Sequence, residues 1–399
     1  MTKYVLVINN GQKNSQDVVK FLRDHSIYSL LISEKELHLY LHKQGVIIFG
    51  SKKLDTDVPV LNILNEENVE NKVIDFINKH SFEKMNLNNF VEEAILSIRN
   101  LVKDNKVILG LSGGVDSSVL AALLSKSIGK NLTCILVDHG FLRKGEVNEV
   151  KNFFTEHFDL NLVIVDAQER FLTAVKGVKD PEEKRKIIGN EFIKVFEEEK
   201  NKIQGAQYLA QGTIYADIIE SGIKGSSVIK SHHNVGGLPS YMNLQLIEPL
   251  KYMFKNEVRQ IGEILSLPNE LIHRQPFPGP GLAIRILGEI TKEKLDLLKE
   301  SDYIFRDEIK KAGLENKIWQ YFTVLTPLKT VGIKDGKRTY DDVLVIRAVN
   351  SIDGMSAEIY PFEFTLLNKI VSRITTELNG ISRIVYDITP KPTGTIEWE

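Results

Sequence analysis

Residues 112–118, Ser-Gly-Gly-Val-Asp-Ser-Ser, place two glycines, three hydroxyls and one carboxylate in seven consecutive positions. A tight turn with Ser112 or Ser117 as its cap needs none of the extra polar groups. Gly113 and Gly114 let the main chain approach an anion closely, and the hydroxyls of Ser112, Ser117 and Ser118 add donors. Two familiar phosphate loops are absent here: there is no G-x-x-x-x-G-K-[ST] and no G-x-G-x-x-G. A carboxylate beside phosphate is repulsive alone, so Asp116 is expected to act through a Mg²⁺ that bridges to the phosphates.

The flanks say what must hold this loop. "KVILGL" before it reads as a buried strand, and "VLAALL" after it as a buried helix. A strand–loop–helix unit presents orphan backbone N–H groups and the positive end of a helix dipole, and both attract anions. "LTCILVD", "LNLVIVD" and "AQYLAQGT" repeat the strand pattern between helical stretches, which predicts a parallel sheet with helices on both faces. Ahead of it, "YVLVI", "YSLLI", "GVIIFG" and "VPVLNIL" predict a small α/β unit, followed by a polar linker at 80–89 and a helix over 89–102 capped by Asn89. Prolines and glycines crowd residues 276–281, marking a domain boundary, and the remainder has the mixed signals of an α+β unit ending in an extended tail. The expected domains are 1–83, 84–274 and 275–399.

Of the 399 residues, 51 are basic and 53 acidic, so nothing global points to nucleic acid or a membrane surface. The only cysteine, Cys134, sits in an apolar run as an inert core thiol and suits a reducing compartment. No apolar run reaches signal-peptide or transmembrane length, and the chain reads as cytoplasmic. Lys230, His232, His233 and Asn234 crowd one stretch, but no partner stands at zinc-ligand spacing; Lys230 near phosphates is the better reading. Asp217 and Glu220 would share a helix face, either as a surface pair or as secondary Mg²⁺ contacts.

"SGGVDSS" resembles the pyrophosphate-binding loop of the N-type ATP pyrophosphatases. With "ILVDHGFLRKGE" (135–146), "DPEEKRKIIGNEFIKVFEE" (180–198), "YLAQGTIYADIIES" (208–221), "IKSHHNVGGLP" (229–239), "LIEPLKYMFKNEVR" (246–259), "RQPFPGPGLAIRILGE" (274–289) and the terminal "KPTGTIEWE", it resembles GMP synthetases from about residue 88 onward. The resemblance implies an ATP-pyrophosphatase domain followed by an α+β dimerisation domain. It implies ATP-dependent amination of XMP to GMP through an adenylated intermediate, with Mg²⁺ as cofactor and AMP and pyrophosphate released.

Carried over residue by residue, the resemblance assigns ATP to Ser112, Gly113, Gly114, Val115, Asp116, Ser117, Ser118, Val137, Asp138, Gln211, Gly212 and Thr213. It gives catalytic roles to Asp116 and Lys230, and XMP contacts to Arg185 (on a mobile lid), Lys334, Lys391, Ile396 and Glu397. It also implies a homodimer, formed through the C-terminal domain, in which the partner helps complete the XMP site. Relatives carry a longer N-terminal amidotransferase domain. Here its first strands are legible, but Asn62, Ile63 and Leu64 stand where the nucleophilic cysteine's elbow should be. The expected activity therefore uses free ammonia or a separate glutaminase subunit. Two alternatives are a related ATP pyrophosphatase acting on another purine nucleotide and a nucleotide-binding regulator without turnover. Residues His139, where Asn is common, and Gln275, where His is common, leave room for an altered substrate.

Overall fold

The computed structural model describes residues 3–9, 14–64, 67–220, 244–351 and 354–399. The N-terminal apolar runs become β1 (Tyr4–Ile8), β2 (Ser29–Ile32), β3 (Lys43–Phe49) and β4 (Val60–Ile63), with α1 (Asn14–Asp24) and α2 (Val69–His80) between and after them. They form a parallel sheet in the order β2-β1-β3-β4.

Period-2 alternation divides this sheet into two buried faces. Val5, Val7, Leu31 and Ile47 pack on Val18, Val19 and Leu22 of α1 and on Val73 and Phe76 of α2. Leu6, Ile8, Leu30, Ile32, Val46 and Ile48 join the core of the following unit. The N-terminal piece is thus a layer of the molecule, and the linker expected at 80–89 is strapped down: Phe82 is buried and the Met85 amide donates to Ser26 O at 2.7 Å.

The central unit runs α3 (Leu87–Val102), β5 (Lys106–Gly110), α4 (Val115–Ile128), β6 (Leu132–Asp138), α5 (Glu146–His157), β7 (Asn161–Asp166), α6 (Gln168–Ala174), α7 (Pro181–Lys202), β8 (Ala206–Ala210), α8 (Tyr215–Glu220), β9 (Gln245–Ile247), α9 (Lys255–Ile264) and α10 (Asn269–Ile272). Asn86, not Asn89, caps α3: its side chain accepts from the amides of Asn88 and Asn89. The sheet is parallel, in the order β7-β6-β5-β8-β9. Chain connections leave β5 and β8 in opposite directions, so their carboxyl ends flank the crevice where open α/β sheets bind ligands.

Beyond the Pro/Gly loop come α11 (Lys292–Lys311), β10 (Gln320–Lys334), β11 (Lys337–Asn350), β12 (Glu358–Ile359), α12 (Phe364–Glu377) and β13 (Ile381–Asp387). β10 and β11 form a long hairpin closed by Asp335-Gly336, both at positive φ, while β13 lies parallel to β11. Gly281 has φ +63°, and a Cβ there would lie 2.3 Å from Phe141 O, so the loop is seated tightly on the turn after β6.

The N-terminal layer is fastened by charge. Arg23 of α1 donates to both carboxylate oxygens of Glu257 on α9, at 2.7 and 2.8 Å, and to Ser29 O and Tyr252 O at 2.9 and 2.8 Å. Both side chains of the pair are nearly fully buried. Among the described residues, no helix is long and apolar enough to cross a membrane.

Candidate active site at the carboxyl edge of the central sheet

The loop 111–114 turns off β5, and Gly114 begins α4, so the unpaired amides of the first helical turn emerge at the sheet edge. Gly113 has φ +74°, a conformation that favours glycine. Its carbonyl accepts from Arg274 Nη1 at 2.7 Å, and Arg274 also pairs with buried Glu146.

The three hydroxyls are not equivalent. Ser112 is exposed, and its Oγ lies 2.9 Å from Ser117 Oγ and accepts from the Gly114 amide at 3.3 Å. Ser117 and Ser118 are buried, so only Ser112 offers an open hydroxyl; Val115 is a core side chain. Sequence reasoning grouped all of them as ligands because it cannot tell which side of a helix's first turn faces the core.

Asp116 sits in that first turn, and both of its carboxylate oxygens accept from Lys255 Nζ at 2.7 Å. Lys255 opens α9 and was missed from sequence; its signal was a lone lysine in "MFKNEVR", indistinguishable there from a solvated charge. Gly212 faces the same loop from the end of β8. A Cβ on it would come within 3.3 Å of Asp116 C and Ser117 N, so close approach requires glycine. Its neighbour Thr213 donates its hydroxyl to Glu248 at 2.5 Å, and the Gln211 amide donates to Ile247 O at 3.1 Å.

On the other flank, Val137 is buried and Asp138 ends β6. Asp138 accepts from the Gly140 amide at 3.0 Å and from Gln168 Nε2 at 2.9 Å, which makes it the cap of the turn after the strand. Buried His139 is pulled down to about 4, first by desolvation and then by nearby Lys299, and is neutral at physiological pH. Cys134 lies in β6, where burial pushes its thiol up, as an inert core residue. Asp217 accepts from the Ile214 amide at 2.9 Å and so caps α8, which does not make it a Mg²⁺ contact. Lys230 and the adjoining histidines, together with the side chain of Glu220, lie outside the described residues.

The charged stretch 180–198 is built into the structure and is not a free face. Asp180 caps α7, accepting from the Glu183 amide at 2.8 Å, and Pro181 occupies the first turn. Lys184 is fully buried, and Arg185 Nη2 donates to Glu399 O at 2.6 Å.

The C-terminal tail is not frayed. Ile396 packs among Phe322, Val324 and Val345. Glu397 accepts from fully buried Arg285 at 2.8 and 3.0 Å and from Gln320 Nε2 at 2.9 Å. Lys391 donates to Gly354 O at 2.7 Å. The structure therefore brings Arg185, Ile396 and Glu397 to one region.

It does not bring Lys334 there. Lys334 ends β10 and donates to Leu378 O at 2.9 Å, whereas Gln320, bonded to Glu397, begins the same strand. At about 3.3 Å per residue the two ends lie roughly 45 Å apart along the strand.

Similarity to known proteins follows this division. Residues 86–198 match the family model NAD synthase, and residues 307–398 match the model GMP synthase C-terminal domain. Proteins named GMP synthase [glutamine-hydrolyzing] are similar over most of the chain. That of Treponema denticola is 59% identical over 315 residues, covering 79% of this chain and 60% of the relative. That of Bacillus cereus is 57% identical over 317 residues, 79% and 62%, and that of Staphylococcus saprophyticus is 55% identical over 332 residues, 83% and 64%. The chain spans about three fifths of the length of these curated relatives. The chain thus carries an NAD synthase-like domain and a GMP synthase C-terminal domain, and from the first through the second it is similar to proteins named GMP synthase.

Proposed function

We propose that this chain catalyses the synthetase reaction of the proteins it resembles: ATP adenylates the C2 oxygen of XMP, and ammonia replaces the adenylate to give GMP. The observation that carries the reading is the loop 112–118 at the carboxyl edge of a parallel sheet, with Ser112, Asp116 and Lys255 around a helix N-terminus. In the first step the C2 oxygen attacks the α-phosphorus, the bond from that phosphorus to its bridging oxygen breaks, and pyrophosphate leaves. Ammonia then adds to C2, loses a proton and expels AMP.

The α4 amides and Ser112 hold the β- and γ-phosphates, and Lys255 supplies a positive charge where pyrophosphate negative charge develops. No cluster of three or more His, Cys, Asp or Glu side chains that could hold a metal occurs among the described residues. A single carboxylate, Asp116, fits Mg²⁺, which takes one or two carboxylates and completes its shell with phosphates and water. Mg²⁺ held there would neutralise phosphate charge. Val137, Asp138, Gln211, Gly212 and Thr213 line the ATP side, Lys230 assists at the phosphates, and Arg185, Lys391, Ile396 and Glu397 bind XMP.

Lys334 reaches an XMP site only from a second copy, and the C-terminal sheet leaves Leu328, Val331, Ile333, Tyr340 and Val385 exposed, which supports a homodimer through this domain. The units 1–83, 84–274 and 275–399 are the functional divisions. The chain's one thiol is buried in β6 and cannot form an acyl-enzyme, so ammonia comes free or from a separate glutaminase. A cytoplasmic setting suits that free thiol.

Incubation with ATP, Mg²⁺, XMP and either ammonium or glutamine tests this. GMP and AMP form with ammonium only; absence of both with ammonium refutes the synthetase reading, and GMP from glutamine alone refutes the ammonia assignment.

A further inference from the structure

The two protein segments that meet around Arg185 come from different units, α7 of the central unit and the C-terminal tail, and one side chain joins them. Glu399 Oε2 accepts from Lys184 Nζ at 2.5 Å, and its Oε1 accepts from the Gly288 amide at 3.3 Å. Lys184 also donates to Ile286 O at 2.7 Å, in the segment that leaves the Pro/Gly loop. The Lys184 side chain is fully buried and that of Glu399 nearly so. Burial pushes Glu399 up and Lys184 down, and each is held charged by the other. The next residue on α7 is Arg185, whose guanidinium donates to the main-chain oxygen of Glu399.

A buried ion pair adds little net stability compared with an apolar pair of the same shape, and its attested use is to fix one register. Here the register fixed is that of Arg185 against Ile396 and Glu397. Glu397 is set separately by Arg285, so Glu399 is not needed to fold the tail's inner turn.

We propose that Glu399 is a positioning residue of the nucleotide site: its clasp on Lys184 and Arg185 sets α7 against the tail so that both segments face one XMP molecule. This rests on the function proposed above. It makes Glu399 specific to XMP, because the loop 112–118 is braced by Lys255, Arg274 and Gly212, and among the described residues no hydrogen bond or ion pair joins it to the tail.

The test compares the unmutated chain with Glu399→Gln, Glu399→Asp, Lys184→Met and the double variant Lys184→Met/Glu399→Leu. Each is assayed for KM of XMP, KM of ATP, kcat, calorimetric XMP binding and thermal melting. Glu399→Gln is expected to raise the KM and Kd for XMP about tenfold or more, the scale of one charge-assisted hydrogen bond, with the KM for ATP within about twofold. Glu399→Asp recovers part of the loss, and the double variant is no worse for XMP than either single one. The proposal is overturned if Glu399→Gln binds XMP like the unmutated chain. It is also overturned if both KM values and kcat shift together in step with melting temperature, the mark of a purely structural pin. If the unmutated chain neither binds XMP nor turns it over, the proposed function falls and takes this assignment with it; normal XMP binding by both chains overturns the assignment alone.

Discussion

Replacing Arg23 by methionine should destabilise the N-terminal layer far more than its distance from the candidate active site suggests. The guanidinium makes a two-oxygen contact with Glu257, donates to two carbonyls and lies 4.1 Å from the Tyr28 ring centroid. Methionine leaves the Glu257 carboxylate buried, with the Phe254 amide at 2.8 Å still donating to it. Removing one partner of such a pair costs about 3–5 kcal/mol, whereas replacing both by apolar groups is often neutral. Arg23→Met should therefore lower the melting point by roughly 5–10 °C, and Arg23→Met/Glu257→Met should regain at least about half of that loss. Trp319 and Trp398 both lie in the C-terminal part, so their fluorescence is blind to this layer. Native-state hydrogen exchange of the β1–β4 amides is the direct assay. A single variant within about 1 kcal/mol of the unmutated chain, or a double variant worse than both singles, refutes the reasoning.

Lys255→Met should cut kcat by about a hundredfold or more while changing stability by less than about 1 kcal/mol, because the pair with Asp116 is partly exposed; activity within about threefold of normal refutes the role. His139 should make the fold acid-sensitive. Its folded value of about 4 lies below the ordinary 6.5, so the unfolded chain binds the extra proton between those pH values. Stability is then complete above pH 6.5 and falls by about 3 kcal/mol as pH drops towards 4. His139→Asn, which can still accept from the Phe141 amide, should flatten that limb of a urea-melt series; an unchanged slope refutes it. Finally, inactive Asp116→Asn and Lys334→Ala chains, refolded together, should recover about a quarter of normal activity, since half the dimers would carry one intact composite site; no recovery refutes the shared site.

Strong local patterns were legible in the sequence. "YVLVI" and "LTCILVD" become strands with the expected bounds, and the strand and turn signals of the C-terminal α+β unit resolve into a hairpin closed by Asp335-Gly336. The anion loop was readable because its glycines and hydroxyls exceed what a turn requires. Relations set by long-range packing were hidden. No local signal marks Lys255 as the partner of Asp116 across 139 positions, or Lys184 as a buried base tied to Glu399 across 215. The stretch around Arg185 could also be read as a solvated charged face, because a lysine that ends up fully buried reads in sequence like any solvated one. That the N-terminal sheet is a layer of the molecule was hidden too, because the partners of its second apolar face come only from α3 onward.

That second face has a consequence during synthesis. β1 to β4 leave the ribosome with one side covered by α1 and α2 and the other still waiting for the central unit. Arg23 waits for Glu257, which follows it by 234 positions, or roughly 10–50 seconds of translation at about 5–20 residues per second. Throughout that interval the nascent chain displays a sticky apolar sheet with an unneutralised cation beside it. Premature termination anywhere before α9 would release a fragment suited to capture by holding chaperones.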